Sequence, residues 1–454
     1  MMIDCKSCGM DYDKKEFDFC PYCGHVPEDE PESPKKVIDE TKYKAAESRK
    51  SEAKEGEDGK PATGSVNKVK YAVIAVAAVV IIVAAVSAIF ALGDTGVTVP
   101  DRYDTIQEAI DAAENGDEII VDLGTYRENI DFNGKNITIR SIDPDDPDVV
   151  DQTIIDGGGS GSVVSFRSGE TEDAVLKGVT VTRGSGIVIS GGSNPVIEKC
   201  VIEDNNAEFG AGLAIFDSAP TIINNTIIGN SGFLGGGLFI EESSPHIEGN
   251  RIVRNRAEMG SGMVIISNSS PTIIDNRIAD NVAERLGGGI VIAVDSTPTI
   301  QDNTVVGNSA ERNGGGILIE ESEPLLEGNT ISRNRAANGA GIFIVNSLTT
   351  ALKITGNTIS ENLAAIAGGG LYMEGSSPNI EDNIFAENIS DHLGGGAAVY
   401  NSSPIFRLNS FEGNDAQGPE GGGAIWVSAD SDLDLNDPDD NSYQQNSPDD
   451  LVFE

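Results

Sequence analysis

Cysteine is scarce in this chain, histidine scarcer, and positive charge is outnumbered more than twofold. Five cysteines among 454 residues are too few for a disulfide scaffold of this length. Three histidines leave little for a catalytic or copper site built on imidazole. Aromatic residues reach only 5%. Lys and Arg number 31 against 73 Asp and Glu, a net charge of −42. That balance argues against nucleic acid as the main partner, because neutralising phosphates takes clustered Lys and Arg. Long apolar runs are absent except for one. What the chain has in excess is glycine, 53 residues, well above the norm of about 7%. A helical enzyme would not carry that much glycine, so a turn-dense, repetitive fold is expected.

The single apolar run, residues 69–92, divides the chain. Before it and through it, Met1 to Leu92 carries 13 Lys and Arg against 16 Asp and Glu, a net of −3, which leaves −39 for the remainder. The 22 residues from Tyr71 to Leu92 would span about 33 Å as a helix, enough to cross a hydrocarbon core of about 30 Å. Lys68 and Lys70 precede the run, and Asp94 and Asp101 follow it. The positive-inside bias then places the amino end in the cytoplasm and the rest outside the cell or in the periplasm. Residues 27–68 are Glu-, Lys-, Ser- and Pro-rich, too polar to fold, and read as a flexible charged linker. At the amino end, Cys5, Cys8, Cys20 and Cys23 form two C-x2-C knuckles, each followed by a glycine. Four thiolates in that spacing can close around one tetrahedral ion, and the segment CKSCG…CPYCG resembles a zinc ribbon over residues 1–26. A structural Zn²⁺ with no open coordination position is the expectation.

After Gly184 the sequence repeats. Proline recurs at Pro195, Pro220, Pro245, Pro271, Pro298, Pro324, Pro378 and Pro404. Asparagines stand five and ten residues beyond most of these, for example Asn225 and Asn230, Asn250 and Asn255, Asn303 and Asn308. Between each pair an apolar residue recurs, such as Ile227, Ile252, Ile278 and Val305. A glycine cluster then opens an alternating apolar strand, as at Gly237-Leu238, Gly289-Ile290 and Gly316-Ile317. Period-2 strands with turns at fixed phase predict an all-β solenoid of short parallel strands. Stacked asparagines in left-handed turns would bond the coils above and below. Cys200 occupies an asparagine position and reads as filling, not as a nucleophile.

These features resemble the right-handed parallel β-helix superfamily of pectin-lyase-like, carbohydrate-binding and sugar-hydrolysing repeats. The segment Thr105–Ser141 is similar to that superfamily's amphipathic capping helix and first coil. The resemblance covers about Thr98 to Val427 and implies a solenoid over residues 93–430, with residues 431–454 an acidic cap or tail forming a last partial coil. It implies no single activity, because the fold hosts lyases, hydrolases, epimerases and binders. The polygalacturonase-type motifs N-T-D, G-H-G and R-I-K do not occur. The repeats are also similar to those of surface adhesins and of periplasmic copper-accessory proteins, although no Met/His/Cys cluster supports copper.

Alternation places one residue of each glycine-led strand outward: Ala214, Phe239, Val264, Val291, Leu318, Phe343, Tyr372, Ala398 and Ile425. The next outward column reads Phe216, Glu241, Ile266, Ala293, Glu320, Val345, Glu374, Tyr400 and Val427. So apolar a stripe wants a cover, either a ligand stacked on its rings or a loop of the same chain, the tail after Ala429 being one candidate. Phe239, Phe343, Tyr372, Glu241, Glu320 and Glu374 are the candidate ligand residues. The turn that follows carries Asp217, Glu242, Asn268, Asp295 and Glu321, where Asp217/Glu242 and Asp295/Glu321 could hold a cation such as Ca²⁺ or form a carboxylate pair, or could simply be solvated. Arg251, Arg254, Arg256, Arg277, Arg333 and Arg335 flank the asparagine positions, with an ion pair from Arg254 to Asp280 expected. The function expected is recognition of a surface polysaccharide or protein by a membrane-anchored β-helix. A polysaccharide lyase or glycoside hydrolase is the first alternative, and an adhesin-like structural protein the second.

Overall fold

The computed structural model describes residues 2–4, 11–13, 97–418, 421–433 and 441–454. At the amino end, Met2–Asp4 pairs antiparallel with Asp11–Asp13. The four ribbon cysteines and the apolar run 69–92 lie outside the described residues, and among the described residues no helix is long and apolar enough to cross a membrane.

From Val97 onward the chain is a parallel β-solenoid. Each coil contributes a three-residue strand after the proline, such as His246–Glu248, and a second between the asparagines, Arg251–Val253. A third short strand follows, Arg256–Met259, and then the glycine-led strand Met263–Ile266. Stacked over successive coils, these make a proline sheet, an asparagine sheet and a glycine sheet of thirteen strands each, and a spur sheet of nine. Pairing is parallel and in register, so Ile252 faces Ile278 and Ile278 faces Val305. Twelve steps of about 4.8 Å make each long sheet roughly 58 Å from end to end.

Alternation explains the core. Ile227, Ile252, Ile278, Val305, Ile331 and Ile359 are fully buried, as are Leu238 and Ile240, Met263 and Ile265, and Ile290 and Ile292. They join one cluster that runs from Val97 to Val427. Near its end the core turns aromatic, with Phe385 stacked on Phe411 and Phe411 on Tyr443.

The amino-terminal mouth of this core is closed by the helix Ile106–Ala112, which turns Ile106, Ala109 and Ile110 inward. Its first-turn N–H groups are satisfied from two sides. The Thr105 hydroxyl accepts from Glu108 N, and the Glu128 carboxylate accepts from Ile106 and Gln107 N. The last carbonyls, of Ile110, Asp111 and Ala113, all accept from Lys135 Nζ. A charge of each favourable sign thus stands at the matching end of the helix. At the other end the solenoid continues into the tail: Ser442–Gln444 extends the asparagine sheet and Asp449–Phe453 the glycine sheet.

Both asparagine columns are buried ladders. In a typical rung, Asn308 Oδ1 accepts from Asn281 N and Asn281 Nδ2 at 3.1 and 2.9 Å. Asn308 Nδ2 donates to the Ile278 carbonyl and to Asn334 Oδ1 at 2.9 and 3.1 Å. The ladders run on to Asn441 and Asn446 in the tail. The left-handed residue at each corner is the one before the asparagine, as at Asn224, Asp275, Asp280 and Asp302, and not the ladder asparagine itself. With its backbone free of that strain, the asparagine amide is left to bond along the axis. Cys200 stands in the first column, where its N–H donates to Asn225 Oδ1 and its thiol lies against the carbonyls of Leu176 and Glu198.

A third ladder, of serines two residues before the prolines, accompanies these. The N–H of Ser218 donates to Ser243 Oγ, that of Ser243 to Ser269 Oγ, and that of Ser376 to Ser402 Oγ. Its first rung is Ser218, whose own hydroxyl has no partner; one coil earlier the Ser193 hydroxyl donates to the buried carboxylate of Glu170, which also accepts from Ser168 N and Gly134 N. Burial alone would raise the Glu170 pKa, but these donors hold it below the usual carboxylate range.

Candidate functional site

The outward stripe of the glycine sheet is the first place to look, and the structure closes it. Phe239, Phe343 and Tyr372 do point outward, but they are 1%, 5% and 3% exposed. Phe239 touches Phe209 of the spur sheet and Phe216 on the neighbouring strand, with ring centroids 5.2 and 5.7 Å apart. Phe343 and Tyr372, one coil apart, stack face to face at 5.1 Å. The rings expected to meet a ligand therefore meet one another and the spur.

Cover over this column comes from within the coils. Gly260, Gly287 and Gly314 have φ of 62°, 62° and 68°. A Cβ on Gly260 or Gly287 would stand 2.2 or 2.1 Å from a methyl of Val264 or Val291. On Gly339 or Gly368 it would stand 2.8 or 2.7 Å from the Cβ of Phe343 or Tyr372. The chain leaves each spur strand, turns left-handed at glycine and lies on the outward side chain of the strand it then enters. Only glycine allows both the turn and the approach.

The second outward column is also closed in part. Glu241 and Glu320 are 5% and 4% exposed, alongside Ile266 and Ala293, whereas Glu374 is half-buried. At the carboxyl end the register differs from expectation. Ile425 and Val427 pair with Ala397 and Val399 and point into the core, and Trp426 takes the outward place beside Ala398. A six-residue strand, Gly422–Val427, shifts the phase by one.

The acidic turn is open to solvent. Asp217, Glu242, Asp295 and Glu321 are all exposed, each in a left-handed conformation on the outer rim of the coil. Among the described residues no group of three or more His, Cys, Asp or Glu could hold a metal ion.

The arginines lie elsewhere. Arg251 and Arg277 are register partners on the outer face of the asparagine sheet. Arg254 and Arg333 occupy the left-handed corner between that sheet and the spur, both with φ of 55°. Arg256 and Arg335 open spur strands. All six are exposed. Among the described residues none of them forms an ion pair, and the pair expected between Arg254 and Asp280 is not made. Asp280 is instead turned along the axis, its Oδ1 2.8 Å from where a Cβ on Gly307 would stand.

A carboxylate and two arginines do converge near the amino end, at a place the sequence did not single out. Arg183 grips Asp156 through Nε and Nη2 at 3.0 and 2.5 Å, and Arg127 approaches it at 3.7 Å. Asp156 is 4% exposed as a side chain and also accepts from Gly158 N. Burial would raise its pKa, but the Gly158 N–H and the two guanidiniums hold it below the usual range. With its oxygens so engaged, this carboxylate fastens the second coil to the third and is not available as an acid or base.

Comparison with known proteins agrees with the architecture. The family model described as a right-handed β-helix region matches residues 133–305 and again 282–437. No curated protein and no solved structure matches the chain significantly.

Proposed function

The chain belongs to the right-handed β-helix family, and from that premise we propose that it recognises a surface polymer, foremost a polysaccharide, along the length of its solenoid. The observation that supports this reading is the lattice itself. Thirteen parallel strands in register in each long sheet offer similar chemistry at every rise of about 4.8 Å. A linear ligand with repeating units can use such a surface over several coils at once and gain affinity from each. Cleavage of the lyase or glycosidase type would bring a pair of carboxylates together with an arginine. The carboxylate that two arginines approach, Asp156, has its oxygens engaged by them and by the Gly158 N–H, which favours binding over cleavage.

In this reading the apolar run 69–92 anchors the protein by one membrane span, with the β-helix outside. Cys5, Cys8, Cys20 and Cys23 hold one structural Zn²⁺ as four thiolates on the cytoplasmic side. The test is the full chain on a glycan array, with retained glycans then assayed for shortening. Retention without shortening is the expected result. Shortening would move the reading to an enzyme, and retention of no glycan would overturn it. Zinc titration of the same chain should give one ion, lost in Cys20→Ser; retained affinity in that variant would remove the ribbon.

A further inference from the structure

We infer that Glu170 is an acid-released latch on the amino-terminal cap. Its buried carboxylate holds the loop 133–136, that loop holds the helix Ile106–Ala112, and protonation frees both while the coils stay folded. The device is independent of what the solenoid binds.

The helix gives the first argument. It has seven residues and buries only Ile106, Ala109 and Ile110, so it is too short to persist without outside support. That support comes from one stretch of the first coil. Glu128 accepts from Ile106 N and Gln107 N, and the Gln107 amide bonds both the N–H and the carbonyl of Asp131. Lys135 Nζ donates to three carbonyls at the far end of the helix, at 2.6, 2.8 and 2.9 Å. Asn136 N donates to Asn115 Oδ1 at 2.9 Å.

The loop gives the second. Lys135 and Asn136 sit in a turn that Gly134 enters at φ of 75°, and this turn is fastened to the next coil at two points. Gly134 N donates to Glu170 Oε1 at 2.7 Å, and Thr171 N donates to Asn136 Oδ1 at 2.8 Å. Glu170 therefore stands one residue from the lysine that grips the helix.

The chemistry of the carboxylate gives the third. Glu170 is 0% exposed, and Gly134 N, Ser168 N and the Ser193 hydroxyl all point hydrogens at its two oxygens. A neutral carboxyl would place its own hydrogen among these donors and give up the charge that strengthens each bond. A buried N–H is then left unpaired, and the loop moves to find it a partner. Charged groups on the segments around Glu170 are Asp131 and Lys135 on the loop side, Arg167, Glu172 and Asp173 on its own turn, and Asp217 in the coil beyond Ser193. None of these is among the causes that displace the Glu170 pKa, which are burial and the donors alone. That pKa is lowered in the folded chain, so the latch is closed at neutral pH and opens as pH falls through a value below the usual carboxylate range. Opening uncovers the apolar mouth of the core at a cost well below that of unfolding the stacked coils.

The test is amide hydrogen exchange of the full chain across a pH series, corrected for the chemical exchange rate. In wild type, amides of residues 106–113 should exchange about tenfold faster once pH falls below the carboxylate range, while those of Ile278, Val305 and Ile331 stay protected. Glu170→Gln should show the fast cap at neutral pH and no further acceleration in acid. Lys135→Met should free the helix at every pH while Gly134 N stays protected, which places the lysine after the latch in the chain of contacts. If Glu170→Gln also exposes the central strands, Ser193→Ala is the variant read, and with one donor fewer its cap should open at higher pH than wild type. Acceleration of cap and central strands together in wild type overturns the latch. So does a cap that exchanges alike in wild type and Glu170→Gln, or an unchanged opening pH in Ser193→Ala.

Discussion

The asparagine corner and the glycine corner turn the same chain in every coil, yet they work by opposite means. At the asparagine corner a buried amide fills the space and joins its coil to both neighbours through hydrogen bonds, as Asn308 does with Asn281, Asn334 and the Ile278 carbonyl. At the glycine corner the side chain must be missing, because the next coil's backbone and an outward side chain occupy its place. Both corners recur in the sequence with the same regularity. Repetition therefore marks a constraint of stacking, and it does not by itself distinguish a filled position from an empty one, or either from a ligand site.

The largest effect should come from breaking a ladder in its middle. Asn308→Ala leaves the Asn281 N–H and Nδ2 and the Ile278 carbonyl buried without their partner. Each orphaned group costs about 1–3 kcal/mol, so a loss of about 4 kcal/mol is expected, read as a lowered urea midpoint. A change below about 1 kcal/mol would mean that water replaces the amide and that the ladder is not what joins the coils.

At the glycine corner, crowding can be separated from backbone conformation. Gly316→Ala would place a Cβ 2.5 Å from the Gly341 carbonyl oxygen and 3.0 Å from Asn334 Nδ2. Such overpacking costs about 2–3 kcal/mol. Gly192→Ala meets nothing within 4 Å but sits at φ of 75°, so it should lose only about 1 kcal/mol. Equal losses at the two sites would show that the turn, and not the close approach of coils, selects glycine.

Smaller still is the effect at Glu170, which accepts from the Ser193 hydroxyl, and it depends on pH. Glu170 has its folded pKa lowered, so its contribution is complete above the unfolded carboxylate pKa and fades as pH falls through the folded one. Wild type should lose stability relative to Glu170→Gln as pH drops below the ordinary carboxylate range. A gap between the two proteins that stays constant from neutral pH into acid would remove the carboxylate from this role.

The coil period, the inward columns and both asparagine ladders were legible because strands of period two keep a fixed phase against the prolines. The spur was not. Its segments, from NAEF at Asn206–Phe209 to LAAIA at Leu363–Ala367, vary in length and lack clean alternation, and register shifts at Ala257/Met259 and Ala336/Asn338 absorb the variation. Without the spur, Phe239, Phe343 and Tyr372 read as exposed, whereas the structure buries them. A signal was present in Leu234, Met259, Leu286 and Ala367, apolar residues of one register column and all buried. The serine ladder was equally readable as serine two residues before proline, at Ser218, Ser243, Ser269, Ser296, Ser322, Ser376 and Ser402. The partnership of Asp156 with Arg183 and Arg127 lies before the regular repeats begin, where no period points to it.

The smallest effect belongs to the one rung where the asparagine column departs from its rule. Cys200 is fully enclosed, and its thiol pKa is pushed up to about 12 by burial, against the partial relief of backbone N–H groups nearby. The thiolate is the reactive form, so the folded protein should resist a soluble thiol reagent at pH 8, and Cys200 should react only after unfolding. Its backbone already donates to Asn225 Oδ1 as an asparagine there would. Cys200→Asn should therefore extend the ladder one coil toward the amino end, donating to the Leu176 carbonyl now 3.6 Å from the sulfur. The expected change in stability is within about 1 kcal/mol and of favourable sign, since one weak S–H contact is exchanged for amide hydrogen bonds. A marked loss in this variant would show that this coil cannot accept an amide, and that sulfur is chosen there for its size and apolar surface.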